Sequence, residues 1–399
     1  MYNTFFAHAL QQAEYRITPT GKQVVKFYLD KNEQPADVDT AFKKRVLEHL
    51  LQADWNRYPA IDLKDIEEKV AEYCGLLPEN IVLSAGSAGI ITTLLNHFAL
   101  HHKHIVIAQP SYTLFDYHCK TNNISYEPWF LDADLGYNVQ TLPALRSDSV
   151  LIITSPNNPA GNTLCLEKLE HLLVQYPQSC IILDGVYTEF SQTDPTPLVK
   201  RYPNLIVLRS FSKAFPMAGL RLGYLCASPT TAAIVKKLVL PFSINHFSLA
   251  FAREMLHDRA FMASAKQRVQ RIVAERERMC CLIGKHFSPG VLKVFRSEGN
   301  FLLIRVFDNA AFSRLMEDLP QNGIKVLNTS GAPLLHNTLR VSIGTPYENE
   351  VFFSRLRSSL ERTARHCGKN IPPLFPVQPL RHSGMVRKPV FGREALCVG

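Results

Sequence analysis

No stretch of the 399-residue sequence approaches the length of a membrane span, and its amino terminus (MYNTFFAHAL) lacks a basic segment followed by a long apolar run. The expected setting is cytoplasmic, with no membrane partner. Charged residues make up only 20%, and the formal net charge of +9 is dispersed rather than gathered into one arm. No nucleic-acid-binding motif accompanies that charge, so no nucleic-acid partner is expected; an enzyme for anionic ligands would be basic too. Nine cysteines, an odd number, show no C-x-x-C spacing, and the adjacent Cys280 and Cys281 cannot readily pair with each other. They read as reduced thiols, most of them in the core, and no metal site is expected. No internal repeat is evident.

What is present is an ordinary globular composition, 46% hydrophobic, in a chain longer than one core usually supports. Two packed domains are expected. Residues 1–28 read as irregular, with a turn at Thr18-Pro19-Thr20-Gly21. Helical periodicity over Asp39–Asp54, capped by Asp39 or Thr40, precedes NRYP (Asn56–Pro59) and a helix over Leu63–Cys74 that ends at Gly75. ENIVLSAGSAGIITTLLNHF then reads as a strand, a small-residue turn and a helix whose first amides make an anion site at Gly86, Ser87 and Ala88. Tight strand–helix packing would explain the same turn.

From residue 104 the apolar runs HIVIAQP, ISYEPWF, SVLIITSP, SCIILD, LIVLRS and LGYLCAS alternate with helical patterns. This predicts an α/β fold with a mainly parallel sheet covered on both faces, where ligands sit at the carboxyl ends of the strands. Beyond Pro241 come a long helical region to His286 and a strand pair over 291–307. A helix near Ala310–Leu319, a short GIKVL strand, LRVSIG and a final helix (Tyr347–Ala364) follow. These predict a smaller α+β domain. The expected division is 1–40 for an N-terminal segment joining the small domain, 41–255 for the large domain and 256–365 for the small one. Residues 366–399, with five prolines, read as an irregular basic tail.

The chain is organised around RSFSKAFPMAGLRLGY (Arg209–Tyr224), in which Lys213 follows the strand-like run Leu205–Ser210. An amine held at a sheet edge among small residues can form a Schiff base with an aldehyde. The hydroxyls of Ser210 and Ser212 and the Arg221 guanidinium can bind a phosphate on the same ligand. A solvated lysine in a surface turn is the plainer alternative for any lone lysine.

The pattern S-x-S-K-A-F-x-x-x-G-L-R-x-G-Y resembles the lysine motif of the fold-type I pyridoxal-phosphate (PLP) enzymes. Within them it is most similar to the histidinol-phosphate aminotransferase branch of the class I and II aminotransferases, over about Leu29 to Leu360. The resemblance implies that Lys213 carries PLP as a Schiff base and shuttles a proton. It implies that Asp184, at the end of IILD, pairs with the pyridine nitrogen, where it would otherwise be a turn or helix cap. Tyr187, in D-x-x-Y spacing, and Asn158, in the turn-rich SPNNPAGN, would hydrogen-bond the ring's phenolate oxygen. Tyr112 would stack on the ring, although an aromatic after a strand is equally a core residue. Ser210, Ser212, Arg221, Gly86, Ser87 and Ala88 would hold the phosphate.

Tyr58 matches a tyrosine that the family inserts towards the phosphate of a neighbouring subunit, which implies a homodimer. Arg340, in LRVSIGT, matches the arginine that grips a substrate carboxylate by bidentate pairing. Asn32 belongs to an N-E-x-P segment near the substrate, and Asn300 has a positioning role. The implied activity moves an amino group between an amino acid and a 2-oxo acid.

The sequence departs from the branch at positions that help hold a substrate phosphate. A tyrosine is usual where Thr20 stands and an arginine where Leu327 stands, and an apolar side chain cannot replace a guanidinium facing a dianion. Lys22 and Lys325 are the nearby cations. Gly185 also replaces the usual acid in D-E-A-Y. A substrate divergent from histidinol phosphate is therefore expected. A true histidinol-phosphate aminotransferase, a PLP-dependent decarboxylase or lyase, and a binding or regulatory protein retaining the fold are the alternatives; the intact Lys213 argues against the last.

Overall fold

The apolar runs become strands of a seven-stranded sheet in which Ile105–Gln109, Val150–Thr154 and Leu205–Ser210 bury every residue, so both of their faces must be apolar. The computed structural model describes residues 8–13 and 24–366; the expected turn at Thr18–Gly21, Lys22 and the tail beyond residue 366 lie outside them. In chain order the elements are α1 (His8–Gln12), β1 (Phe27–Tyr28), α2 (Thr40–Leu51), α3 (Lys64–Cys74), β2 (Ile81–Ser84), α4 (Ser87–Leu100), β3 (Ile105–Gln109), α5 (Thr113–Thr121) and β4 (Glu127–Phe130). Next come β5 (Val150–Thr154), α6 (Leu166–Gln175), β6 (Cys180–Asp184), β7 (Leu205–Ser210), α7 (Phe211–Ala214), β8 (Gly223–Ala227), α8 (Pro229–Lys236), α9 (His246–His257) and α10 (Arg259–His286). The last are β9 (Leu292–Phe295), β10 (Phe301–Val306), α11 (Asn309–Gln321), β11 (Ile324–Lys325), β12 (Leu327–Asn328), β13 (Thr338–Ser342) and α12 (Pro346–His366).

The large sheet has the order β2-β8-β7-β6-β5-β3-β4, and β8 alone runs against its neighbours. Alternate residues along each strand feed two cores. Leu151, Leu183 and Val207 pack with Ile66, Leu169 and Phe251 on one face; Ile152, Ile182 and Ile206 pack with Leu94, Phe115 and Ala232 on the other. Full burial of each such side chain is worth about 1.5–3 kcal/mol, which makes the sheet the rigid frame for whatever its edge carries. Because only β8 is reversed, the carboxyl ends of β2, β3, β5, β6 and β7 meet the amino end of β8 along one edge. Register confirms this: Ser84, Gly223 and Ser210 stand side by side, as do Thr154 and Asp184.

Local signals behave as their chemistry dictates. Asp39 Oδ1 accepts from Phe42 N at 2.8 Å and starts α2, and Gly75, at φ 64°, closes α3 in the left-handed region. A second, antiparallel sheet has the order β12-β13-β10-β9. Two expectations need correction. GIKVL is not one strand: Ile324-Lys325 pairs in parallel with β1, whereas Leu327-Asn328 pairs with β13. Residues 1–28 are not wholly irregular, since α1 and β1 lie within them. The strand part of both has one cause: β1 and β11 pair with each other about three hundred residues apart, and local pattern carries no trace of such pairing. Contacts divide the chain after Leu360, and all three sheets lie in the unit before it.

Candidate active site

Asp184 is the last residue of β6 and is buried, 2% exposed, at the shared strand edge. Burial pushes its carboxyl up to about 7 because water no longer solvates the charge. A long 3.4 Å hydrogen bond from Val186 N and the more distant Lys213 only partly offset this. A buried carboxylate so poorly compensated is suited to receive a cationic N–H.

Three residues after β7, Lys213 lies on the single turn of α7, where Gln34 Nε2 donates to the Lys213 and Ala214 carbonyls at 2.8 and 3.0 Å. Its Nζ donates to Lys31 O at 2.8 Å. Desolvation first, then repulsion from Arg340 and Arg221, lowers the amine to about 8, against the attraction of Glu33 and Asp184. An amine so tuned loses its proton near neutral pH and becomes a nucleophile or base.

The opposite end of the edge is built for an anion. The fourteen-residue helix α4 starts at Ser87 with Gly86 as its N-cap, no side-chain cap and no acid in its first turn. Gly86 N and Gly89 N donate within the turn, to Ser84 O and Gly86 O, which leaves the amides of Ser87 and Ala88 for a ligand. Gly86 has φ 83°, and a Cβ there would come 2.9 Å from Arg221 Nη2; a Cβ on Gly223 would come 2.4 Å from Ser87 N. This close approach places the guanidinium against the helix start. Arg221, itself left-handed at φ 54°, donates to Ser212 Oγ at 3.4 Å and to Ala218 O at 3.0 Å. Ser210 Oγ accepts from Ser212 N at 3.1 Å and sets that turn. Ala88 follows Ser87 in the first turn of α4.

Arg340, on β13, is buried, and its Nη1 and Nη2 donate to Asn158 Oδ1 and to Asp30 O. Its Nε is buried without a partner among the described residues, and the guanidinium lies 5.4 Å from the Phe301 ring centre. Burial lowers its pKa from the ordinary value. An orphaned guanidinium donor wants a carboxylate. Because Asn158 Oδ1 is occupied by Arg340, the Asn158 amide NH₂ remains to donate elsewhere. Tyr187 is fully buried, its hydroxyl raised to about 12 chiefly by desolvation, and its oxygen accepts from Asn32 Nδ2 at 2.9 Å. Tyr112, half-buried at the start of α5 and edge-on to Phe115, lies near enough to act electrostatically on both Tyr187 and Arg340.

Lys213, Asp184, Tyr187, Asn158, Tyr112 and Arg340 therefore converge, with Ser210, Ser212, Arg221, Gly86, Ser87 and Ala88 at one end. Tyr58 does not join them: it is 79% exposed and stacks on Phe242 with ring centres 4.7 Å apart. Asn300 Nδ2 donates to Asn32 O at 3.0 Å, a contact compatible with a positioning role. Lys325 is engaged by Asp30 at 3.3 Å. Four contributors were missed from sequence: the Asp30 and Lys31 carbonyls, Gln34 and Ser342. The carbonyls act through groups that every residue has, so the N-E-x-P pattern next to them was the one available signal.

The family profile of aminotransferase class I and II matches residues 25–356. A histidinol-phosphate aminotransferase of Pyrococcus furiosus is 33% identical over 344 residues, 86% of this chain and 94% of that protein. Among solved structures, histidinol-phosphate aminotransferase from Sinorhizobium meliloti in complex with pyridoxal-5'-phosphate has a TM-score of 0.77 at 21% identity, covering 90% of this chain and 99% of its own. The L-threonine-O-3-phosphate decarboxylase of Porphyromonas gingivalis has a TM-score of 0.72 at 19% identity, covering 84% and 99%. At such identities the structural likeness speaks to the fold.

Proposed function

The chain belongs to the aminotransferase class I and II family, and we propose that its PLP site is the edge built around Lys213, Asp184, Tyr187, Asn158 and Arg221. It is a PLP-dependent aminotransferase, moving an amino group between an amino acid and a 2-oxo acid. The observation that carries the site assignment is the pairing of a lowered amine at Lys213 with a raised, buried carboxyl at Asp184 on one sheet edge. The uncapped start of α4 beside Arg221 fits a phosphate, and the unpartnered Arg340 Nε fits a carboxylate.

Bound there, PLP supplies an aldehyde to carry the amino group and a ring that withdraws electrons from the substrate's α-carbon. Lys213 Nζ would hold the cofactor's aldehyde, and its lowered amine would serve as the base that moves a proton at the substrate's α-carbon. Asp184 would keep the ring nitrogen protonated. Tyr187 Oη and Asn158 Nδ2 would donate to the ring oxygen, Tyr112 would cover the ring face, and Ser210, Ser212, Arg221 and the amides after Gly86 would hold the phosphate. Arg340, its plane fixed by Asn158, Asp30 and Phe301, orients the substrate carboxylate so that the α-proton faces Lys213.

The amino donor is read as an α-amino acid rather than histidinol phosphate. Leu327 stands directly opposite Arg340 where the branch has an arginine, and the nearby cation Lys325 is already paired with Asp30. A homodimer is the proposed assembly. Tyr58, Trp55, Ile61 and Leu240 expose 71–79% of their surface on the protomer, and Tyr58 would complete the partner's phosphate site. The working domain division remains 41–255 and 256–365, joined by 1–40, in a cytoplasmic protein; no described helix is long and apolar enough to cross a membrane.

The test is the visible spectrum of the PLP-loaded protein as single amino acids are added. Loss of the cofactor band with one donor, restored by a 2-oxo acid, supports the reading and identifies the donor. Release of carbon dioxide without keto-acid dependence would turn it into a decarboxylase, and no band after adding PLP would end it.

A further inference from the structure

Asn32 is fully buried and held at φ 56°, in the left-handed region that asparagine tolerates better than most residues. Its surroundings settle how its amide points. Asn32 N donates to Ser342 Oγ at 2.8 Å, and Ser342 Oγ donates to Asn32 Oδ1 at 2.9 Å. Among the described residues Ser342 Oγ has no acceptor other than Asn32 Oδ1, so its one proton goes there and marks that atom as the oxygen end. Nδ2 is thereby left to face Tyr187 Oη at 2.9 Å. Asn300 Nδ2 locks the Asn32 carbonyl at 3.0 Å, so the residue has little freedom to turn. An amide nitrogen can only donate. The Tyr187 oxygen accepts from it, and the tyrosine's own proton is left for another acceptor.

We propose that Asn32 is a positioning residue, not a substrate contact: it keeps the Tyr187 hydroxyl proton directed at the cofactor's ring oxygen. The chain Ser342–Asn32–Tyr187 thus ties β13, the strand of Arg340, to the group that stabilises negative charge on the ring oxygen. Donation from Asn32 also makes the Tyr187 hydroxyl a stronger donor, since each hydrogen bond polarises the next. A ring oxygen so stabilised disfavours protonation of the Lys213 nitrogen once that nitrogen carries the cofactor. The inference rests on the reading of this edge as the PLP site.

The experiment is a pH titration of the cofactor's visible band in the loaded wild type, N32G, N32D, Y187F and the double variants N32G/Y187F and N32D/Y187F. Glycine accepts the positive φ, and aspartate keeps the shape but can only accept a hydrogen bond. N32D should therefore draw the tyrosine proton to itself and raise the band's midpoint by about one pH unit or more, and N32G by less. On the Y187F background N32G should leave the midpoint where it is, because its route of action is gone. A band whose midpoint ignores both single variants would overturn the assignment. So would an equal N32G shift with and without the tyrosine hydroxyl, which would mark a purely structural role. If N32G does not fold, N32D decides: a rise that shrinks on the Y187F background supports the route through Tyr187, and an undiminished rise overturns it. A wild type with no cofactor band would overturn the site itself, a result distinct from both.

Discussion

Leu327 on β12 and Arg340 on β13 are directly opposed partners in an antiparallel pair, so their side chains leave the sheet on the same face. Leu327 is half-buried and therefore faces whatever lies next to the Arg340 guanidinium. Replacing it by arginine would place a second guanidinium beside the first. L327R is expected to raise kcat/KM for a phosphorylated amine about 10–100-fold, the worth of one new charge-assisted hydrogen bond. Steady-state kinetics with histidinol phosphate and with an unphosphorylated amino acid check it. An unchanged ratio between the two would show that residue 327 does not meet the substrate's distal group.

Arg340 holds its orientation through both terminal nitrogens, to Asn158 and to the Asp30 carbonyl, and offers Nε to a ligand. R340K keeps the charge and loses the planar fork. The expected result is a KM for the amino donor raised about 10–100-fold, with the cofactor band retained. A K213A variant separates the roles: it should lose the covalent cofactor band and fall in kcat by at least about 100-fold. Parallel spectra and kinetics of the two variants distinguish grip from chemistry.

Asp184 was legible as the polar residue that closes the apolar run of β6. Lys213 and Tyr187, each three residues beyond a strand end, were legible as candidates from the resemblance of S-x-S-K and D-x-x-Y to the family's motifs. Asn158 was legible as a candidate only through the resemblance of N-P-x-G and its place before Asp184, since turn chemistry alone explains the same residues, and the Gly86 turn would equally serve tight strand–helix packing. The reversal of β8 was not, since LGYLCAS is apolar in either direction. Nor was the split of GIKVL, whose halves pair with strands from opposite ends of the chain. Asn32 was visible as a residue but not as an intermediary, because its role depends on which end of its amide Ser342 selects.

Gly86 tests the phosphate end. Its φ of 83° is strained for any residue with a Cβ, and that Cβ would meet Arg221 Nη2 at 2.9 Å. G86A must then either shift the guanidinium or bend the start of α4, and either change spoils the anion site. PLP affinity is expected to weaken about 10-fold, the equivalent of roughly 1.4 kcal/mol. Titrating apoprotein with PLP by fluorescence reads this directly, and unaltered affinity would place the phosphate elsewhere.

Asp184 makes the sharpest statement about pH. Its carboxyl titrates near 7 in the folded apoprotein against an ordinary 3.8, because burial penalises the charge. Between those values the folded state binds more protons than the unfolded state, so this residue's contribution to stability falls as pH rises. Below about pH 4 both states are protonated and the cost vanishes; above 7 it is complete, about 2–4 kcal/mol at full size. Asparagine cannot ionise and nearly preserves the shape. The melting temperature of D184N apoprotein should therefore match wild type near pH 4 and exceed it increasingly up to pH 7–8. Adding PLP should reverse the order, since a ring N–H gives the wild-type carboxylate the cation it lacks and gives the amide of D184N much less. Thermal melts of both proteins across pH, with and without PLP, read both differences. If the two apoproteins melt together at every pH, Asp184 is already compensated and the unpaired-carboxylate account of the site fails.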